Sequence, residues 1–183
     1  MSENIYLIGF MGTGKSTAAD YLHKKLSMEM AEMDQLIEAR AGMPISRIFE
    51  KYGEEYFRNL ETELLIELSE KERLVVSCGG GTPMRDRNVR EMRKSGTIVL
   101  LTASPETIFS RVKDSHSRPL LEQNKSVDYI AKLLEQRRSA YEAAADLVIE
   151  TDQKSMEEIC GELLQGLEGA YEWKRESAEP PVC

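Results

Sequence analysis

From Gly9 to Ser16 the chain runs GFMGTGKS, an ungapped match to G-x-x-x-x-G-K-[ST]. It lies between an apolar run, IYLIG, and a segment of helical period that opens at Lys15. Every residue type in it has a use against phosphate. Glycines let successive N–H groups point inward and curl around phosphate oxygens. A helix starting at the same spot adds its positive N-terminus. Lys15 supplies a mobile charge for β- and γ-phosphates, and Ser16 a hydroxyl for Mg2+, an ion that prefers oxygen donors in octahedral array. Gly12, Thr13, Gly14, Lys15, Ser16 and Thr17 are thus the expected nucleotide cradle. A Gly-rich turn with a chance lysine is the bland alternative, and the agreement of motif with context argues against it.

The cradle leaves the fate of the phosphate open among a switch protein, a motor-type ATPase and a small-molecule kinase. A guanine-specific switch needs N-K-x-D after an apolar strand, and NKSVD at Asn124–Asp128 has the wrong spacing. An acidic residue closing an apolar strand beside the metal is also missing, since LVVSC ends in Ser77-Cys78 and TIVLL runs into Thr102. The acidic candidates near the metal are therefore Glu32 and Asp34, in MAEMDQLIE. Arg137 completes an apolar helical stripe of Ile130, Leu133, Leu134 and Tyr141. A guanidinium in that place must find an anion or snorkel to water, and its planar fork suits a carboxylate. Arg58 borders the apolar stripe of its own helix, and Gly79-Gly80-Gly81 follows a strand directly, permitting close backbone approach to a ligand. Arg118 sits in a polar stretch between helical segments, a place that suits a closing lid.

These groups need a frame that gathers them. IYLIG, LVVSC, TIVLL and DLVIE are short apolar runs, with a weaker one over Met30–Met33, and they alternate with helical segments. Runs apolar on both faces indicate a parallel sheet covered by helices, hence an α/β doubly wound fold with ligands beyond the carboxyl ends of the strands. Helical stripes are expected over Lys15–Leu26, at Ile45, Ile48, Phe49 and Tyr52, at Phe57, Leu60, Leu64 and Leu68, and from Met156 to Tyr171. At 183 residues one domain is expected. The net charge of −8 argues against nucleic-acid and anionic-membrane partners. Three scattered cysteines indicate free thiols in a reducing cytoplasm, and two distant histidines give no metal site. The polar tail from Trp173 is expected to be loosely ordered.

Taken together, GFMGTGKST, MDQLIEARAGMPISRIFEKYGEEYFRNLE, GGG, RPLL and RRSAY, in that order and at these intervals, resemble the shikimate kinase family over nearly the whole chain. The resemblance implies a five-stranded parallel sheet of the nucleoside-monophosphate-kinase type and ATP- and Mg2+-dependent phosphorylation of the 3-hydroxyl of shikimate, on the way to chorismate and the aromatic amino acids. It implies one kinase domain over 1–172, with a substrate-binding subdomain near 33–61, a lid near 112–124 and a tail at 173–183. Asp34 becomes the carboxylate that holds shikimate hydroxyls and orients the attacking oxygen. Arg58 and Arg137 become the substrate-carboxylate pair, and Gly79, Gly80 and Gly81 line the pocket. Arg118 becomes the lid arginine on the transferring phosphate, and Arg111 the adenine-side arginine, with the adenine loop after Glu150. A cytoplasmic monomer is expected. One departure stands out: where the family has D-x-D, this chain has Glu32-Met33-Asp34, which lengthens the side chain expected near the metal. The rivals are a P-loop kinase of another hydroxy acid, such as gluconate, and a nucleotide-binding regulatory module without catalysis.

Overall fold

The computed structural model describes residues 3–113 and 126–178. Five strands form one parallel sheet: β1 (Asn4–Ile8), β2 (Glu29–Glu32), β3 (Leu74–Ser77), β4 (Gly96–Thr102) and β5 (Leu147–Glu150), in the order β2-β3-β1-β4-β5. The most apolar strands take the centre. Every residue of β1 and β3 is buried, as a sheet covered on both faces requires. Alternate residues of β1 feed two cores. Tyr6 and Ile8 join one with Val76, Leu64 and Leu65, and Ile5 and Leu7 join the other with Leu22 and Leu163. Asn4 fixes the register at the start of β1: its amide donates to the Lys71 carbonyl at 2.8 Å and accepts from the Leu74 N–H at 2.9 Å.

The helices are α1 (Lys15–Leu26), α2 (Met33–Ala41), α3 (Ile45–Ser69), α4 (Asp86–Ser95), α5 (Pro105–Val112), α6 (Val127–Ala144) and α7 (Met156–Ala178). α3 is broken at Gly53, whose φ of 82° and ψ of 171° lie outside helical space. The stripes expected on either side of this glycine therefore belong to two helical halves. Phe57, Leu64 and Leu68 are buried as their spacing predicts, but Tyr52 is 45% exposed, because the half before the break meets the core only through Ile48 and its neighbours.

Four expectations need correction. The second strand ends at Glu32, and Met33 already opens α2. β5 is not buried on both faces: it is an edge strand with one neighbour, and Val148 is 54% exposed. The tail from Trp173 is helical as far as Ala178 rather than loosely ordered. α4 and α5 also fall outside the expected stripes. α4 turns only Asn88 and Met92 fully inward, too few for a pattern. α5 carries a capping signal instead: Ser104 accepts from the Thr107 N–H, with Pro105 next in line. Among the described residues no helix is long and apolar enough to cross a membrane.

Strand β1 runs straight into the Gly-rich loop. Gly9 has φ 139°, and a Cβ there would stand 2.3 Å from the Leu101 carbonyl oxygen and 3.1 Å from the Thr13 hydroxyl. Backbone conformation and crowding thus both demand glycine. Gly9→Ala is expected to cost about 1–3 kcal/mol in urea unfolding and to weaken ATP binding in calorimetry, because the loop must shift to admit the methyl group.

Candidate functional site

The carboxyl ends of β1, β2 and β3 converge on a cleft of about 270 Å3, lined by Gly12, Gly14, Lys15, Ser16, Thr17, Glu32, Asp34, Ser77, Cys78, Gly80 and Arg111. Parallel strands in this order bring three chain-distant loops to one edge. Lys15 is buried, and its ammonium donates to the carbonyls of Gly9 at 2.9 Å and Phe10 at 3.0 Å. It is therefore held at the loop, in the cleft. Gly14, in left-handed conformation, caps α1 and aims the helix's N–H groups at the same space. Thr13 is placed differently from its loop neighbours. It is buried, and its hydroxyl donates inward to the Phe10 carbonyl at 2.8 Å, closing the turn rather than lining the cleft.

Glu32 ends β2 directly beside the end of β3, in register with Ser77. The Ser77 hydroxyl donates to Glu32 Oε1 at 2.9 Å, and Glu32 Oε2 is buried without a hydrogen-bond partner. Serine thus occupies the strand end where an acid is customary, and the acid arrives from the next strand. One oxygen of that carboxylate is pinned, and the other is left to a ligand.

The neighbouring pocket is built on the glycine turn after β3. A Cβ on Gly79 would stand 2.3 Å from Glu61 Oε1 and 3.2 Å from Asp34 Oδ1, and one on Gly81 would stand 2.3 Å from the Arg58 guanidinium. Only a bare backbone fits between these groups. Arg58 donates to Glu61 at 2.5 Å and to Glu54 at 3.0 Å. Glu61 is 1% exposed and also accepts from the Thr82 hydroxyl at 3.0 Å. Burial pushes the Glu61 carboxyl above the usual glutamate range, and Arg58 and Thr82 reverse only part of that. Arg137 approaches the same turn from α6. Its guanidinium carbon lies 5.6 Å from the Phe10 ring centroid. Tyr141, one turn on, donates to the Gly80 carbonyl at 2.6 Å. Arg58 lies against Gly81, and Arg137 stands one helical turn before Tyr141, whose hydroxyl meets Gly80, so two arginines from distant segments border the same glycine turn.

Arg111 stands at the far end of the cleft. It donates to the Gly12 carbonyl, the Thr151 hydroxyl and the Thr151 carbonyl, each at 3.1 Å, and so ties the phosphate loop to the segment after β5. That segment is anchored further by Asp152, which accepts from the Ser104 N–H and hydroxyl at 2.8 and 2.7 Å. Arg118 and the expected lid from residue 114 on lie outside the described residues. Sequence reasoning left Glu61, Ser77 and the Tyr141 hydroxyl without roles. Glu61 was within reach, three residues after Arg58 on one helix, the spacing that pairs opposite charges. Cys78 is not a reactive thiol here, because full burial pushes it far up, and burial likewise raises Cys160 to about 11.

The family model described as shikimate kinase matches residues 11–168. A shikimate kinase of Geobacter sulfurreducens is 45% identical over 161 residues, which is 88% of this chain and 88% of that protein. The structure of shikimate kinase from Acinetobacter baumannii in complex with shikimate superposes with a TM-score of 0.88 at 34% identity, over 93% of this chain and 95% of that one. A gluconokinase from Sinorhizobium meliloti reaches a TM-score of 0.64 at 18% identity, covering 97% and 98%, a likeness of fold alone.

Glu61→Ala removes the buried half of an ion pair and leaves Arg58 with only the exposed Glu54. It is expected to lower unfolding stability in urea by about 3 kcal/mol, with Glu54→Ala near neutral.

Proposed function

The chain belongs to the shikimate kinase family, and we propose that it transfers the γ-phosphoryl group of ATP to the 3-hydroxyl of shikimate. The observation that carries this reading is the convergence of Arg58 and Arg137 at the glycine turn, next to the cleft that Lys15 and Ser16 line. A small acid held there by its carboxylate lies within reach of a nucleotide on the loop. A gluconate kinase would share the fold and the loop and would also bind a carboxylate, but not with the combined GEEYFR, GGG and RRSAY set of this chain.

Each residue has a task in that reaction. Gly12, Gly14, Lys15, Ser16 and Thr17 hold the phosphates, and Thr13 keeps the loop closed. Arg111 holds the wall beside the adenine. Arg58 and Arg137 take the shikimate carboxylate, each guanidinium presenting a planar fork to it. Gly79, Gly80 and Gly81 let the ring approach the backbone. Asp34, beside Gly79, accepts from the substrate hydroxyls and orients the attacking oxygen. Phosphoryl transfer then depends on alignment and on neutralising charge at the γ-phosphoryl oxygens, where Lys15 acts and Arg118 is expected to join it on closure. No covalent intermediate on the protein is required.

The donor set fits Mg2+. Ser16 and Glu32 offer hard oxygens, and the unpartnered Oε2 of Glu32 is a buried acceptor in want of a cation. Bound there, Mg2+ would draw charge from the β- and γ-phosphates. Among the described residues no cluster of three or more acidic, His or Cys side chains forms a cage, which suits an ion that keeps much of its water. Residues 33–61 serve as the substrate-binding subdomain and about 112–124 as the lid within a single kinase domain over 1–172. A cytoplasmic monomer completes the reading, and buried Cys78 and Cys160, free thiols, are in keeping with the cytoplasm.

Coupled ADP-release assays on shikimate, gluconate and related hydroxy acids test the assignment directly. Turnover of shikimate alone is expected, and turnover of another acid in its place would sink it. Arg58→Ala and Arg137→Ala should each weaken shikimate binding by about 2–5 kcal/mol and leave ATP affinity unchanged in calorimetry. Glu32→Gln should lower the affinity of the ADP-bound protein for Mn2+, read by paramagnetic resonance, about tenfold while shikimate affinity holds.

A further inference from the structure

We propose that the Tyr141 hydroxyl is a positioning group that sets the span between the two ends of the acid pocket, the Gly80 peptide and Arg137, and orients Arg137 without neutralising it. The inference rests on the shikimate reading of that pocket. The Tyr141 ring is 4% exposed and packs in the core that includes Tyr6, Ile8 and Leu100. Its hydroxyl is therefore fixed by the core and cannot follow a ligand. The hydroxyl proton goes to the Gly80 carbonyl at 2.6 Å. That leaves the oxygen's lone pairs toward Arg137, which stands four residues earlier on the same helix face and whose charge acts on the phenol. The direction is secure at neutral pH. Burial raises the phenol above the usual tyrosine range, against the pull of Arg137, so it keeps its proton and remains a donor.

The two substrate arginines are held by contrasting means. Arg58 is ion-paired with Glu61 and Glu54. Arg137 makes no salt bridge among the described residues: Tyr141 supports it on one side and the Phe10 ring on another. A phenol oxygen and an aromatic face orient a guanidinium but leave its charge for an incoming anion. The same hydroxyl holds the Gly80 carbonyl, and a Cβ built on Gly80 would stand 3.6–3.8 Å from the phosphate loop at Gly9 and Met11, so the held peptide borders that loop. One oxygen thereby registers the carboxylate end of the pocket against the backbone next to the nucleotide.

Tyr141→Phe keeps the ring and removes only this oxygen. Its shikimate KM is expected to rise about tenfold, with kcat and ATP KM little changed. In an Arg137→Ala background the same change should add little, because it acts through Arg137. In the ligand-free protein, amide exchange by mass spectrometry should quicken across residues 79–84 in Tyr141→Phe and stay unchanged in β1 and β4. A variant with wild-type KM and exchange, full additivity with Arg137→Ala, or equal loss toward ATP and shikimate would each overturn the positioning role alone. Wild-type protein that turns over no shikimate would overturn the functional reading, and this inference with it.

Discussion

A carboxylate sealed in the core governs the geometry of the acid-binding half. Glu61 is almost wholly buried and meets Arg58, the Thr82 hydroxyl and the space over Gly79 at once. An ionised group in that position is tolerable only while Arg58 stays against it, since an uncompensated buried charge is costly. Arg58 is thereby fixed in place before any substrate arrives. The glycines follow from the same constraint. Glu61 and Arg58 occupy the volumes that side chains at 79 and 81 would need, so those two positions are held to glycine while the pair stays in place.

The sheet order joins this half to the nucleotide half. Because β1 lies between β3 and β4, the phosphate loop and the glycine turn leave adjacent strands at the same edge. Glu32 enters from β2 on the far side of β3, where the Ser77 hydroxyl receives it. This explains how a chain without an acid at the end of β3 still presents a carboxylate to the cleft: the side chain comes from one strand over. The added methylene of glutamate suits the arrangement, since one oxygen reaches Ser77 while the other is buried without a hydrogen-bond partner.

Much of this was legible in the sequence, and the parts that were not have physical reasons. The five strands, α1 and the long stripes of α3, α6 and α7 are written in apolar periodicity, which reports burial directly. α4 was hidden because Val89 and Met92 are its only large apolar residues, so it shows no apolar stripe although its charges lie on one side. Edge exposure of β5 was hidden because strand order is a tertiary fact that composition does not encode. At the site, the motif identified Lys15 and Ser16, and the misfit of Arg137 in an apolar stripe pointed to an anion. Tyr141 went unread for the opposite reason. It fitted its stripe so well that its hydroxyl, the part facing Gly80, drew no notice.

The break at Gly53 divides α3 unequally. The half that carries Arg58 and Glu61 is rooted in the core by Phe57, Leu64, Leu65 and Leu68, whereas the half before it touches the core through few side chains. The joint therefore lies ahead of the charged anchor. Mutational drift in residues 45–52 can therefore proceed while Arg58 and Glu61 stay rooted, so the two halves of one helix are free to evolve at different rates.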